Sequence, residues 1–449
     1  MESSGREKGE GKANMDMSII AIVYCILLFL LLGSGLWVGL ALGTTGLAIA
    51  YLFTHNVGYV AGLTSFSFAN SFVLTSAPMF IFMGEVLLQG ELSPMLYKGI
   101  SAWLSRVPGG LLHSNIVACG IFAAVCGSSP ATAATIGTVA IPELEKRNYD
   151  PKLLLGSLAA GGTLGILIPP SLVMILYGAF CEESIGQLFI GGFIPGLILM
   201  TMFMIYIAIV ASLRPHLFPK EEKVTWKARL LGIVGLLPMV LLILIVLGGI
   251  YAGLVTPTES AAVGATSSIL IALAYRRFNF QVLKRCLFNT VRTTCMIFFV
   301  AIGAQLLAYT LGILRVPAML AEWILSLQIS PLMVLICVYI LYYILGCFLD
   351  GIAMMLLTLS VVYPLVVKSL GYDGIWFGVV LVVLIEIGGI TPPVGLNLYV
   401  IHGLAPHHSM GKVIVGSFPY VIIMTAMLAL MTAFPEIVLW LPGQMIGAP

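Results

Sequence analysis

Two short runs of small, hydroxyl-bearing and acidic residues in this sequence could bind an ion or a small ligand. The first is Gly127-Ser128-Ser129-Pro130-Ala131-Thr132, and its counterpart in the second half is Asp350-Gly351. Glycine and serine let the backbone turn sharply and present carbonyl and hydroxyl oxygens, which are hard ligands that suit Na⁺. The helix that restarts at Pro130 points its N-terminus into the same place, where free N–H groups suit a carboxylate.

Two Pro-Pro pairs, Pro169-Pro170 and Pro392-Pro393, interrupt apolar stretches that are long enough to cross a bilayer. Proline inside a helix removes a backbone donor and clashes with the preceding turn, at a cost of roughly 3 kcal/mol. In hydrocarbon, backbone groups freed in this way must be buried in protein or line a wet cavity. Two breaks at matching places in two halves are typical of a secondary transporter, whose binding site is built from discontinuous helices.

Carboxylates at membrane depth are further candidates, because ionisable groups there are costly and usually functional. Asp350 and Glu386 lie in or beside the second break, and Glu85 lies near the end of the third predicted span. For Glu386 structural hydrogen bonding is favoured over substrate or ion coupling, and for Asp350 both roles stay open. Glu259 follows Thr256 and Pro257 in the first turn of a predicted helix, which favours a capping role.

Cysteine and histidine indicate neither a metal site nor a disulfide framework. The eight cysteines are scattered through apolar stretches without any C-x-x-C pair, so they are interpreted as packing residues. His407 and His408 lie beside Pro406 in a predicted loop. No histidine is paired with a carboxylate at the spacing that helical metal sites use.

The composition is that of a polytopic membrane protein. Hydrophobic residues make up 60% of the chain, charged residues 9%, and the mean hydropathy is +1.09, whereas soluble domains carry roughly 25% charged residues. No polar interval is long enough for a folded soluble domain, so an enzyme and a nucleic-acid partner are not expected. The predicted fold is all-α, with about 11 transmembrane helices in the lipid bilayer and two re-entrant hairpins.

The sequence predicts a disordered polar tail, followed by two halves that form an inverted repeat. The ranges are 1–16 for the tail, 17–220 for the first half with a hairpin at 109–146 and a broken helix at 153–179, and 221–449 for the second half with a hairpin at 329–368 and a broken helix at 375–402. If both hairpins are re-entrant, most of the 21 Lys and Arg residues fall on one side. Positive charge favours the cytoplasm, and inverted repeats suit alternating access.

At these residues the chain resembles the large (M, DctM-like) membrane subunit of the tripartite ATP-independent periplasmic (TRAP) transporters. The resemblance covers the chain from roughly Met17 to its end. The matching stretches are GSSPATAATIG at 127–137, GGTLGILIPPS at 161–171, TPTE at 256–259, FLDG at 348–351 and GITPPVGLN at 389–397.

The resemblance implies an elevator-type symporter of the bacterial inner membrane that couples Na⁺ to the import of a small organic acid. The acid would be a C4-dicarboxylate, sialic acid or a similar carboxylate. The resemblance also implies two partners, a small four-helix (Q type) membrane subunit as a separate chain and a periplasmic (P type) substrate-binding protein.

The resemblance further implies one Na⁺ site between the first hairpin tip and the first break, and another between the second tip and the second break. The Na⁺ ligands that it indicates are Gly127, Ser128, Thr132, Gly165, Asp350, Gly351, Gly389, Thr391 and Gly395. The substrate contacts that it indicates are Ser128, Ser129, Pro169, Pro170, Ser171, Thr391, Pro393 and Asn397.

The same residues disfavour two other functions. A stand-alone divalent-anion/Na⁺ symporter of related architecture would carry Ser-Asn-Thr at the hairpin tips, and neither tip does. An intramembrane protease would need a Ser–His pair or two facing aspartates. Ser128 has no placed histidine, and Asp350-Gly351 has no Gly-x-Gly-Asp partner.

Overall fold

A computed structural model describes residues 22–53, 57–219 and 225–445 of the chain, and the predicted tail lies outside them. The described residues form helices and no strand, which confirms the all-α prediction. The helices are α1 Ile22–Gly33, α2 Val38–Phe53, α3 Val57–Ala69, α4 Ser76–Gln89, α5 Ser93–Leu104, α6 Leu111–Cys126, α7 Ser129–Lys146, α8 Pro151–Gly162, α9 Leu164–Leu167, α10 Leu172–Cys181, α11 Ile185–Leu213, α12 Trp226–Tyr251, α13 Pro257–Ala274, α14 Phe280–Ile313, α15 Val316–Ser326, α16 Pro331–Gly346, α17 Gly351–Tyr363, α18 Gly374–Gly389, α19 Leu396–Leu404, α20 Met410–Ala433 and α21 Glu436–Leu439.

Helices long and apolar enough to cross a membrane confirm the multi-pass class. By length and composition, seven helical stretches of the described residues qualify, and seven shorter apolar helices of 10–17 residues accompany them. Glycine and proline breaks divide the chain into these shorter helices, so length alone does not count the crossings. The number of about 11 crossings therefore stays a prediction.

The described residues divide into two compact units, and each unit draws on both halves of the sequence. Unit 1 comprises the residues up to Ser71 together with 295–338 and 352–372. Unit 2 comprises 72–294, 339–351 and the residues from Asp373 onward. Both Pro-Pro breaks, the first hairpin and the tip of the second hairpin therefore belong to unit 2.

Small residues hold the helices of unit 1 close together. A Cβ atom built on Gly43 would lie 3.4 Å from Gly303 Cα, and one on Gly46 would lie 2.7 Å from the backbone nitrogen of Leu307. Backbone contact of this kind is the usual packing of membrane helices, which lack a hydrophobic drive to associate in lipid.

Close backbone contacts at glycine also join helices of unit 2. Helix α8 packs on α20, where a Cβ on Gly156 would run into the carbonyl of Gly416 and one on Gly416 would run into the carbonyl of Lys152. Because α8 leads directly to the first break, this tight contact positions the break within unit 2.

Aspartate caps begin both of the helices that lead to a break. Asp150 accepts hydrogen bonds from the backbone N–H groups of Lys152 at 2.9 Å and Leu153 at 3.2 Å, and Asp373 accepts one from Trp376 at 2.8 Å. Side-chain acceptors at this position satisfy donors that a helix start leaves unpaired. The two breaks thus follow similarly capped helices.

Glu259 has the capping role that the sequence favoured. Its carboxylate accepts from the backbone N–H of Thr256 at 2.8 Å, and the Thr256 hydroxyl accepts from the Glu259 backbone N–H at 3.3 Å. This reciprocal pair is a capping box at the start of α13.

Candidate functional site

The first hairpin tip is a sharp break between α6 and α7. Gly127 ends α6 in the left-handed conformation, with φ of +64°, and Ser128 is extended before α7 begins. Glycine adopts this conformation without the steric penalty that a Cβ brings. The backbone N–H of Thr132 then donates to the carbonyl of Ser128 at 3.0 Å, which starts the new helix.

The first Pro-Pro break lies between α9 and α10 and is buried. Ile168 leaves the helix in an extended conformation, and a cis peptide bond joins Pro169 to Pro170. The Ser171 hydroxyl accepts from the backbone N–H of Met174 at 3.4 Å and so caps α10. The structure therefore gives Ser171 a capping role, and substrate contact by this residue stays a prediction.

The first tip lies directly against the first break. A Cβ on Gly127 would lie 2.9 Å from the carbonyl oxygen of Pro170, and one on Gly165 would lie 2.8 Å from the carbonyl oxygen of Ser128. Both glycines thus permit an approach of backbone to backbone that a side chain would block.

Buried oxygen at the first tip fits a hard cation. The Thr132 hydroxyl is buried and, apart from the nearby thiol of Cys126, has no polar partner among the described residues. A buried hydroxyl without a strong partner is costly, and a cation would satisfy it. The oxygens near the tip suit Na⁺, as the resemblance implies.

The second tip lies against the second break in a corresponding way. The backbone N–H of Val394 donates to the carbonyl of Cys347 at 3.0 Å. A Cβ on Gly388 would lie 2.7 Å from Gly346 Cα, and one on Gly351 would run into the side chain of Ile385. The structure thus brings the two elements together within unit 2.

The second break differs from the first in exposure. Helix α18 ends at Gly389, Gly395 turns the chain with φ of +42°, and α19 follows. Pro392 and Pro393 are exposed, whereas both prolines of the first break are buried. The half-buried Thr391, which follows the end of α18, donates its hydroxyl to the carbonyl of Ile387 in α18 at 2.6 Å.

Asp350 and Glu386 occupy different environments near the second break. Asp350 is exposed at the second tip, whereas Glu386 is 2% exposed within α18. The Ser129 hydroxyl donates to Oε1 of Glu386, and the backbone N–H of Ile166 also donates to this carboxylate. The structure thus shows the structural hydrogen bonding that the sequence favoured for Glu386.

Asn397 completes the polar cluster around Glu386. Its side-chain amide is buried and donates to the carbonyl of Ala159 at 3.3 Å. A Cβ on Gly162 would lie 3.1 Å from Asn397 Nδ2 and 3.3 Å from the carbonyl of Ser129. A Cβ on Gly389 would lie 3.7 Å from Oε2 of Glu386 and 4.0 Å from Asn397 Nδ2.

Ser129, Ile166, Glu386 and Asn397 therefore join the first tip, the first break and the second break, and we call these four residues the junction. Residues 129 and 386 are 257 positions apart, so no local pattern could pair them. Ser129 and Ile166 donate to Glu386, and Asn397 donates to Ala159 beside them, so buried hydrogen bonds link the three elements energetically.

Two of the predicted contacts are therefore at the junction, namely Ser129 and Asn397. Ser128, Gly127 and Gly165 lie at the contact of the first tip with the first break. Thr391, Pro393, Gly395 and Gly389 lie along the second break, and Asp350 and Gly351 lie at the second tip. The ligand and substrate roles assigned to these residues remain predictions.

Comparison with known families identifies the type of protein. The family described as "Tripartite ATP-independent periplasmic transporter, DctM component" matches residues 25–437. The C4-dicarboxylate TRAP transporter large permease protein DctM of Pseudomonas aeruginosa is 36% identical over 404 residues, which is 90% of this chain and 94% of that protein. The sialic acid TRAP transporter large permease protein SiaM of Vibrio cholerae is 29% identical and covers 93% of this chain and 97% of its own.

A solved structure shares the fold. The crystal structure of the Alcanivorax borkumensis YdaH transporter superposes with a TM-score of 0.59 at 15% sequence identity. The match covers 87% of this chain and 90% of that one. At 15% sequence identity, this likeness shows a shared architecture and nothing about function.

Proposed function

Since the chain belongs to the DctM component family of the tripartite ATP-independent periplasmic transporters, we propose that it imports a small organic acid by Na⁺ symport. The relatives above are named as large permeases for C4-dicarboxylates and sialic acid. We infer that the substrate of this chain is a carboxylate of that kind. A transporter permease is a membrane subunit and not an enzyme.

The junction carries the proposal. It places the N-terminus of α7 beside two helix breaks, where N–H groups and hydroxyls favour a carboxylate. The buried hydroxyl of Thr132, whose one polar neighbour among the described residues is the thiol of Cys126, supports one Na⁺ site at the first tip. The second tip and second break, in contact through Val394 and Cys347, supply backbone oxygens for another.

Partners and location follow from the family as proposals. A periplasmic binding protein would deliver the substrate, and a small four-helix membrane subunit would accompany this chain as a separate polypeptide. We propose that this chain lies in the bacterial inner membrane, where a membrane subunit and a periplasmic protein can both reach it.

The elevator mechanism is proposed from the composition of unit 2. This unit contains both tips, both breaks and the junction. In an elevator, one body carries the whole binding site across the membrane barrier, so its parts must be held to one another. Hydrogen bonds from Ser129 to Glu386 and from Asn397 to Ala159 provide such links.

We expect uptake to require an inward Na⁺ gradient and to be insensitive to ATP. The measurement is uptake of labelled C4-dicarboxylates and sialic acid into proteoliposomes that hold this chain, its small subunit and its binding protein. Replacing external Na⁺ by K⁺ at equal ionic strength is the control for salt.

Two outcomes would contradict the proposal. Uptake that continues without Na⁺ and follows a proton gradient would remove the ion assignment. Uptake that needs no binding protein would support the stand-alone symporter instead.

The two hairpins are expected to have opposite orientations in the membrane. Lys146 and Lys368 are both exposed, one at the end of each hairpin region. In a background without the eight cysteines, Lys146→Cys should react with an impermeant maleimide from the cytoplasm and Lys368→Cys from the periplasm.

Lys227→Cys provides the control for this labelling. Lys227 is exposed at the start of α12 and should label from the same side as Lys146→Cys. Labelling of Lys146→Cys and Lys368→Cys from one side would exclude the inverted arrangement.

A further inference from the structure

Glu145, His407 and His408 form a cluster away from the junction. Glu145 lies in the last turn of α7, and the two histidines lie in the loop between α19 and α20. Oε1 of Glu145 is 2.8 Å from Nε2 of His407 and 3.1 Å from Nε2 of His408. One potential ligand atom from each of the three residues lies within 4.8 Å of the others.

The backbone explains why two consecutive histidines reach the same oxygen. The backbone N–H of His408 donates to the carbonyl of Ala405 at 3.0 Å, which folds the loop into a tight turn. The two imidazole rings are 4.4 Å apart between centroids and tilted by 46°. Both rings therefore point toward the end of α7.

We propose that Glu145, His407 and His408 form a surface site for a divalent transition metal of the Zn²⁺ type. Imidazole nitrogen and carboxylate oxygen are the ligands that such ions prefer. Zn²⁺ binds these atoms at about 2.0 to 2.2 Å, so tetrahedral ligands lie about 3.3 Å from one another. Opening the two contacts of Glu145 Oε1 by a few tenths of an ångström would bring it to this distance from each imidazole nitrogen, and the ligand atoms already lie within 4.8 Å of one another.

Burial and charge in the cluster suit a site that exchanges metal with solvent. The side chains of His407, Glu145 and His408 are 56%, 31% and 15% exposed, so the ion would keep open positions for water. Of the neighbouring cations, Arg147 is bound to Glu143 at 2.7 Å and Lys146 is exposed. Within the described part of the chain, the Glu145 carboxylate thus contacts the two histidines rather than a Lys or Arg side chain.

Metal binding would tie two distant parts of unit 2 together. Glu145 ends the first hairpin, whereas the histidines follow the second broken helix, 262 and 263 positions later. An ion that binds the folded chain and not the unfolded one raises the unfolding temperature by mass action. The proposal does not depend on the transported substrate.

The test is calorimetric titration of Zn²⁺ into the full chain in detergent, purified with a tag that lacks histidine and with its cysteines alkylated. We expect one saturable equivalent in the wild type and an affinity at least about tenfold lower in Glu145→Gln and in His408→Ala. His216→Ala, which removes an exposed histidine elsewhere in unit 2, should bind as the wild type does.

Co²⁺ titration gives a second readout that is independent of affinity. Visible d–d absorption bands of a nitrogen- and oxygen-ligated ion should appear in the wild type and in His216→Ala, and should be lost in Glu145→Gln and His407→Ala. Zn²⁺ should also raise the unfolding temperature of the first two proteins only. Absence of saturable binding, or equal binding by the cluster variants and the wild type, would overturn the proposal.

Discussion

Gly127→Val is expected to reduce transport at least about 100-fold while the protein still inserts into the membrane. Gly127 has φ of +64°, where a Cβ is strained by about 1–2 kcal/mol. The new Cβ would also lie 2.9 Å from the carbonyl oxygen of Pro170, so the tip must move away from the first break. Na⁺-dependent uptake in proteoliposomes, normalised to the amount of inserted protein, measures the effect.

Gly403→Val is the matched control for this substitution. Gly403 is an exposed helical residue, and a Cβ built there meets no atom within 4 Å. The control should retain uptake near the wild-type rate. If Gly127→Val also transported normally, the first tip would be a packing contact and not part of the transport site.

Glu386→Ala is expected to lower thermal stability and abolish uptake. Removing the carboxylate leaves the Ser129 hydroxyl and the Ile166 N–H without their acceptor in a buried place. Each unsatisfied buried group costs about 1–3 kcal/mol. Losing these hydrogen bonds removes the link of the first tip and the first break to α18. Both the unfolding temperature and the rate of uptake should therefore fall.

Glu386→Gln separates structural support from ion coupling. The amide oxygen of glutamine can accept the same two hydrogen bonds, so the unfolding temperature should stay near that of the wild type. Because structural hydrogen bonding is the favoured role, uptake should fall by less than about tenfold. A stable Glu386→Gln protein that has lost Na⁺-dependent uptake would show instead that the charge couples the ion.

Local residue types indicated where the helices break and what class of protein this is. Proline and glycine restrict or release the backbone wherever they stand, so Gly127 and the two Pro-Pro pairs marked interruptions without any knowledge of their neighbours. The same locality explains the cap formed by Thr256 and Glu259, whose partners are three residues apart. The high apolar content indicated a membrane protein, because long runs of apolar side chains are solvated better by the hydrocarbon of a bilayer than by water.

Tertiary structure alone decided which of these elements meet. The bond from Ser129 to Glu386 and the bond from Asn397 to Ala159 span 257 and 238 positions. Such pairs depend on how α7, α8, α18 and α19 pack together, and no periodicity in the sequence encodes that.

The cluster of Glu145, His407 and His408 shows most clearly what the spacing of residues along the chain cannot reveal. The sequence by itself indicated no metal site there, because no carboxylate lies at helical spacing from His407 or His408. The structure brings Glu145 to both rings from 262 positions away. Ligand spacing along a chain detects sites within one element, whereas sites made by separate elements exist only once the chain has packed.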